Sequence, residues 1–139
     1  MHLIVPQFVD VEATSRLYRQ FTPHPCQCAY CNNLRAQWPQ WIAPWVDFLR
    51  TFGIDPDKPV EIVDFGRAEN GRLYQVEWAF LAATDAVVSD PSTCTVGNAE
   101  IFFFPKGIPA SCFDSTGRRW SICIQTSDVP WVLLEAEPD

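Results

Sequence analysis

The feature that most constrains this fold is the pair Asn70-Gly71, together with the two runs that flank it. Asn-Gly between alternating residues is a strong hairpin signal, because a type I′ turn needs positive φ at both central positions. The pattern predicts a hairpin over 60–82. Counting outward, Glu69 stands across from Arg72, Phe65 from Val76 and Val63 from Trp78. One face is then apolar, with Trp78 in the core. The other sets Asp64 against Glu77, a like-charge contact that requires a wet side.

The rest of the chain supplies partners for that hairpin. Residues 3–9 and 15–21 read as two strands joined around Glu12-Ala13-Thr14, since Leu17, Arg19 and Phe21 alternate with Arg16, Tyr18 and Gln20. Residues 32–37 read as a short helix. Between Trp38 and Phe52, Trp41, Trp45, Leu49 and Phe52 recur at helical spacing. Pro44 belongs in a first turn or at a kink, and Gly53 stands where a C-terminal cap belongs. The three tryptophans of this helix are expected to face the core, because large aromatics dominate core burial.

Residues 84–98 read as a loop, and 99–104 as a strand buried on both faces. A Pro-punctuated turn at 105–109 and a hairpin around Asp114–Gly117 come next. In the following strand Trp120, Ile122 and Ile124 face one way and Arg119, Ser121, Cys123 and Gln125 the other. Trp131–Leu134 reads as a last short strand before an acidic tail. The expected architecture is α+β: a mostly antiparallel sheet of five to seven strands, covered on one face by a two-helix segment at about 28–53.

Chemistry concentrates in one window. Three of the six cysteines and one of the two histidines fall between His24 and Cys31. Pro23 and Pro25 hold the residues before them extended, so Cys26 and Cys28 can point to one side. If a helix follows, Cys28 and Cys31 lie one turn apart, at a helix N-terminus that favours thiolates. Cys26, Cys28, Cys31 and His24 are therefore candidate zinc ligands. The usual second ligand pair is missing, and Cys94, Cys112 and Cys123 stand alone. A thiol-reactive site is a further possibility, although no thioredoxin-like βαβ pattern surrounds it. The competing reading, favoured on sequence grounds, is three small apolar side chains packed against the core, with no cofactor.

Composition bounds the remaining choices. With 139 residues, 47% of them apolar and 19% charged, the chain suits a single domain (1–139) with one core. A net charge of −7 argues against nucleic-acid binding and is compatible with a protein partner. Six cysteines without an apolar leader fit a cytoplasmic protein, and no stretch is apolar enough for a membrane span. Gly-rich phosphate loops and nucleophile elbows are absent from the sequence, and only His2 and His24 suit neutral-pH base chemistry. An enzyme is thus disfavoured.

Three segments carry a resemblance: Cys26-Gln27-Cys28-Ala29-Tyr30-Cys31-Asn32-Asn33, Gly53-Ile54-Asp55-Pro56-Asp57-Lys58-Pro59 and Pro130-Trp131-Val132-Leu133. Together they resemble a family of small uncharacterised bacterial proteins with C-x-C-x-x-C-x-N, a G-I-D-P-x-K-P turn and P-W-V-L. The family brings no established activity. Many of its members have Arg where this chain has Asn32. The expectation drawn is a bacterial, cytoplasmic, non-enzymatic accessory or interaction protein, conceivably of immunity type. The alternatives are a small zinc-binding domain and a thiol-dependent enzyme.

Overall fold

The computed structural model describes residues 9–23, 25–83, 93–105 and 119–138. Five strands form one antiparallel sheet: β1 (Glu61–Ala68), β2 (Gly71–Leu81), β3 (Thr93–Val96), β4 (Ala99–Pro105) and β5 (Arg119–Val129), in the order β1-β2-β5-β4-β3. Helices α1 (Val11–Gln20), α2 (Ala29–Ala36), α3 (Trp38–Ile42) and α4 (Val46–Thr51) complete the α+β architecture. Val76, Trp78 and Phe80 of β2 and Trp120, Ile122 and Ile124 of β5 are buried in one core with Leu34, Ile42, Leu49 and Phe52. Trp41 stacks on Trp78, with ring centroids 6.5 Å apart at 15°. Trp78 and Trp120 thus lie in the core, as expected.

The segment expected as a strand at 15–21 is helix α1. Asp10 caps it, its carboxylate accepting from the Ala13 N–H at 3.0 Å, and Thr14 and Tyr18 are buried four residues apart. In so short a segment the alternation at 16–21 does not separate the two periods, and the cap and burial decide. Of the other expected strand, 3–8 lies outside the described residues, and Val9 makes an isolated bridge to Ala82. Helix α1 serves the sheet. The Tyr18 hydroxyl donates to Ala79 O at 2.8 Å and accepts from Ala79 N at 3.1 Å, and Thr14 Oγ1 accepts from Leu81 N at 3.0 Å. These side chains satisfy the end of β2 that outruns β1.

The expected helix over 38–52 is broken into α3, a 3₁₀ turn at Ala43–Trp45 and α4, because Pro44 offers no N–H to a continuous ladder. Gly53 closes it at φ +83°, and a Cβ there would collide with the Val11 carbonyl of α1.

The hairpin forms with a different register. Ala68 pairs with Gly71, so Glu69-Asn70 makes the turn, and Ile62 rather than Phe65 pairs with Val76. Among the described residues, Asn70 included, no non-glycine residue has positive φ, which excludes the type I′ turn at Asn70-Gly71. A bulge at Phe65-Gly66 absorbs the difference and leaves Phe65 55% exposed. Gly71 is required for another reason. Its φ is +152°, and a Cβ would lie 2.6 Å from the Asp128 carbonyl carbon of β5. The new register sets Asp64 beside Tyr74 and gives it to Arg72, through contacts of 2.8 and 3.1 Å.

Three further expectations change. Strand β4 alternates, with Ala99, Ile101 and Phe103 buried and Glu100 exposed, instead of being buried on both faces. Part of the expected 84–98 loop is edge strand β3, which carries Cys94; 84–92 lies outside the described residues, as do 106–118 with their expected turn and hairpin. Trp131–Leu134 is irregular rather than a strand. Asn33 of α2, fully buried, pins it by donating to Pro130 O at 3.0 Å and accepting from Val132 N at 2.7 Å. Downstream, Glu137 Oε2 and Pro138 O reach Arg72 at 3.1 and 2.9 Å. The Arg72 guanidinium also lies over the rings of Tyr30 and Trp131, at 5.2 and 5.8 Å.

Candidate metal centre

Helix α2 begins where the sequence places the cysteines. Cys28 is its N-cap, with extended backbone (φ −68°, ψ 159°), and its Sγ accepts from Cys31 N at 3.4 Å. One step earlier, Cys26 Sγ accepts from Cys28 N at 3.4 Å. The Cys28 sulfur thus takes the place that a carboxylate or hydroxyl oxygen usually fills at a cap. The chain is folded back on the helix by Arg35, which donates to Cys26 O and to Asn32 Oδ1, and by Asn32, whose Nδ2 donates to Gln27 O at 3.1 Å.

The result is convergence. The Sγ atoms of Cys26, Cys28 and Cys31 all lie within 4.8 Å of one another, the one such group among the described residues. Tetrahedral zinc with Zn–S bonds of about 2.3 Å sets its sulfurs about 3.8 Å apart, so a contraction of roughly 1 Å would suffice. The burial pattern is asymmetric. Cys26 and Cys28 are exposed, whereas Cys31 is 6% exposed. Core packing therefore accounts for Cys31 and not for the other two.

Electrostatics divides the sulfurs further. Partial burial pushes the Cys28 thiol up, but the Cys31 N–H and the neighbouring sulfurs outweigh it and leave Cys28 below the ordinary thiol value. Burial, reinforced by hydrogen bonding and charge from Cys28 and Cys26, pushes Cys31 up to about 12. One sulfur favours its anion and the other resists it.

Of the remaining candidates, His24 lies outside the described residues, as does Cys112. Cys94 sits half-buried in β3, where burial raises its thiol, and Cys123 is buried in β5 with Gln75 Nε2 at 3.7 Å. Neither joins the cluster. Sequence reasoning missed Tyr30 and Asn33, whose neighbours are distant in the chain. Asn33 meets the 130–132 segment, while Tyr30 O accepts from the Tyr74 hydroxyl at 2.7 Å. Two of the resembling segments are therefore in contact. The third supports the core: Asp57 accepts from Trp38 Nε1 at 2.9 Å and Pro56 O from Trp78 Nε1 at 3.1 Å.

A second concavity, a cleft of about 360 Å³, lies between α3, the β3–β4 turn and the end of β5. Trp41, Trp45, Gln40, Asn98 and Asp128 are among its walls. Asn98 already bonds Asp128, and Trp41 Nε1 donates to Thr126 Oγ1 at 3.0 Å. Among the described residues no helix is long and apolar enough to cross a membrane. No protein-family model, curated protein or solved structure matches this chain.

Proposed function

We propose that this protein binds a thiophilic metal ion, zinc by its ligand chemistry, through Cys26, Cys28 and Cys31. The observation that carries the reading is the meeting of three sulfurs within 4.8 Å, two of them exposed and without a packing role. Thiolates are preferred donors of zinc, and a contraction of roughly 1 Å brings these three to tetrahedral spacing. The Cys28 environment, which favours the anion, supports the same chemistry. His24, two residues before Cys26, is the sequence candidate for the fourth position, and water is the other. The ion would clamp the chain before α2 onto its first turn, next to Tyr30 and Asn33.

The test is elemental analysis of reduced protein purified without a metal-affinity tag, followed by zinc titration of the stripped chain. One equivalent of zinc that protects Cys26, Cys28 and Cys31 from alkylation is expected. Less than about a tenth of an equivalent, with no uptake on titration, would remove the reading, since structural zinc binds with apparent energies of order 10 kcal/mol.

A second reading, an accessory protein acting through a protein partner, has exposed Phe65, Val132 and Leu134 in its favour. Substituting all three by Ser and measuring co-purification of a partner tests it. The metal reading has the more specific geometry.

A further inference from the structure

We propose that Cys28 and Cys31 form a dithiol that closes to a disulfide by exchange with low-molecular-weight disulfides, so that metal is held only by the reduced chain. The consequence for metal rests on the zinc reading; the exchange chemistry does not.

Three observations carry it. The two sulfurs lie within 4.8 Å of each other, and Cys28 Sγ already sits against the Cys31 N–H at 3.4 Å. A disulfide needs them at about 2.05 Å, which rotation of side chains three residues apart around one helical turn can supply. Access is one-sided: Cys28 is exposed and Cys31 is buried. A small external disulfide therefore reaches Cys28 first, and Cys31 is shielded as a resolving thiol. The turn is also held in shape independently of the sulfurs, by Arg35 on Cys26 O and Asn32 on Gln27 O. Closing the bond need not unfold α2.

The chemistry balances in two steps. The Cys28 sulfur attacks one sulfur of the external disulfide. That S–S bond breaks, a mixed disulfide forms on Cys28, and one small thiol leaves with the Cys28 proton. The Cys31 sulfur then attacks the Cys28 sulfur, and the second small thiol leaves with the Cys31 proton. The chain is oxidised by two electrons and the external disulfide is reduced to two thiols. A zinc ion that loses two of its three sulfurs departs with its charge unchanged. Cys26 is left as a free thiol.

The experiment uses the full reduced chain, zinc-loaded and zinc-free in parallel, with excess oxidised glutathione. Thiol loss, zinc release to a chromogenic chelator and peptide mapping are read together. Expected are loss of two thiols per chain, a Cys28–Cys31 linkage and one zinc released per disulfide formed. Cys31→Ser should accumulate glutathione on Cys28, and Cys28→Ser should oxidise at least tenfold more slowly. A Cys26–Cys28 linkage, or a Cys28→Ser chain that oxidises at the wild-type rate, would overturn the proposal. So would thiols in both forms that persist while a free dithiol control is consumed. A chain that forms the linkage but never takes up zinc would overturn the metal reading alone. One that holds zinc and resists exchange would overturn this inference alone.

Discussion

Two polar clusters flank helix α2, and they are built on opposite terms. The Arg72 cluster is closed. Its guanidinium is 1% exposed, paired with both oxygens of Asp64, with Glu137 and with Pro138 O, and covered by two aromatic rings. Each guanidinium nitrogen has an acceptor, as a buried cation demands. The cysteine cluster is open. Two of its three sulfurs face solvent, and their hydrogen bonds are long sulfur contacts within their own turn. A satisfied, buried network orders the chain, here tying the C-terminal segment to the hairpin. Converged donors left at the surface are what a ligand or a reaction would use. The difference separates a polar group that makes structure from one that has capacity to spare.

Arg72→Ala should break that comparison hardest. It leaves Asp64 buried without its partner, and removal of one side of a buried pair costs about 3–5 kcal/mol. Urea denaturation measures it, and a loss below about 1 kcal/mol would mean that the closed cluster is not structural. Asn33→Ala comes next. It leaves Val132 N without its partner and Pro130 O with Gln37 Nε2 alone, an expected cost of about 2 kcal/mol, with greater protease sensitivity after Val129. An unchanged cleavage pattern would show that the C-terminal segment is held without Asn33, by Gln37, Arg67 and Arg72.

Zinc sharpens the other half. Added at about a hundred times its dissociation constant, it should stabilise the reduced chain by about 2.7 kcal/mol, and Cys28→Ser should abolish that gain. The same substitution without metal should change stability by less than about 1 kcal/mol, because the residue is exposed and a serine hydroxyl can cap α2 in place of the sulfur. Equal shifts with and without zinc would make Cys28 a structural residue after all.

The smallest effect is a pH dependence. Cys31 is a thiol whose folded value is raised to about 12, so the folded chain holds its proton more tightly than the unfolded one. Its contribution is complete below the ordinary thiol range and is lost as pH climbs from there through about 12. In metal-free, reduced protein the loss should be steeper for wild type than for Cys31→Ala, compared by denaturation at pH 8 and 10. Parallel losses would mean that the burial of Cys31 has no electrostatic consequence. With zinc bound the opposite flank matters, because acid protonates the ligands and expels the ion.

What was legible in the chain is what depends on near neighbours. The spacing of Cys26, Cys28 and Cys31 around a helix start announced that the sulfurs would meet, because a helical turn has a fixed geometry. The alternation in 119–125 assigned Trp120, Ile122 and Ile124 to the core, since a strand has period two. Gly53 was recognisable as a helix stop for the same local reason. The tertiary structure decided the rest. Asn70-Gly71 offers a good local turn, yet Gly71 is needed where the β5 backbone at Asp128 comes close, far along the chain, and the bulge at Gly66 resets the register to allow it. Likewise 15–21 could satisfy either period until Ala79 and Leu81 required side-chain partners from a helix. The open sulfurs and the closed arginine also parted at this level, because burial is set by whatever distant chain arrives to cover a group. For Arg72 that chain is Trp131 to Pro138, and local spacing carries no record of it.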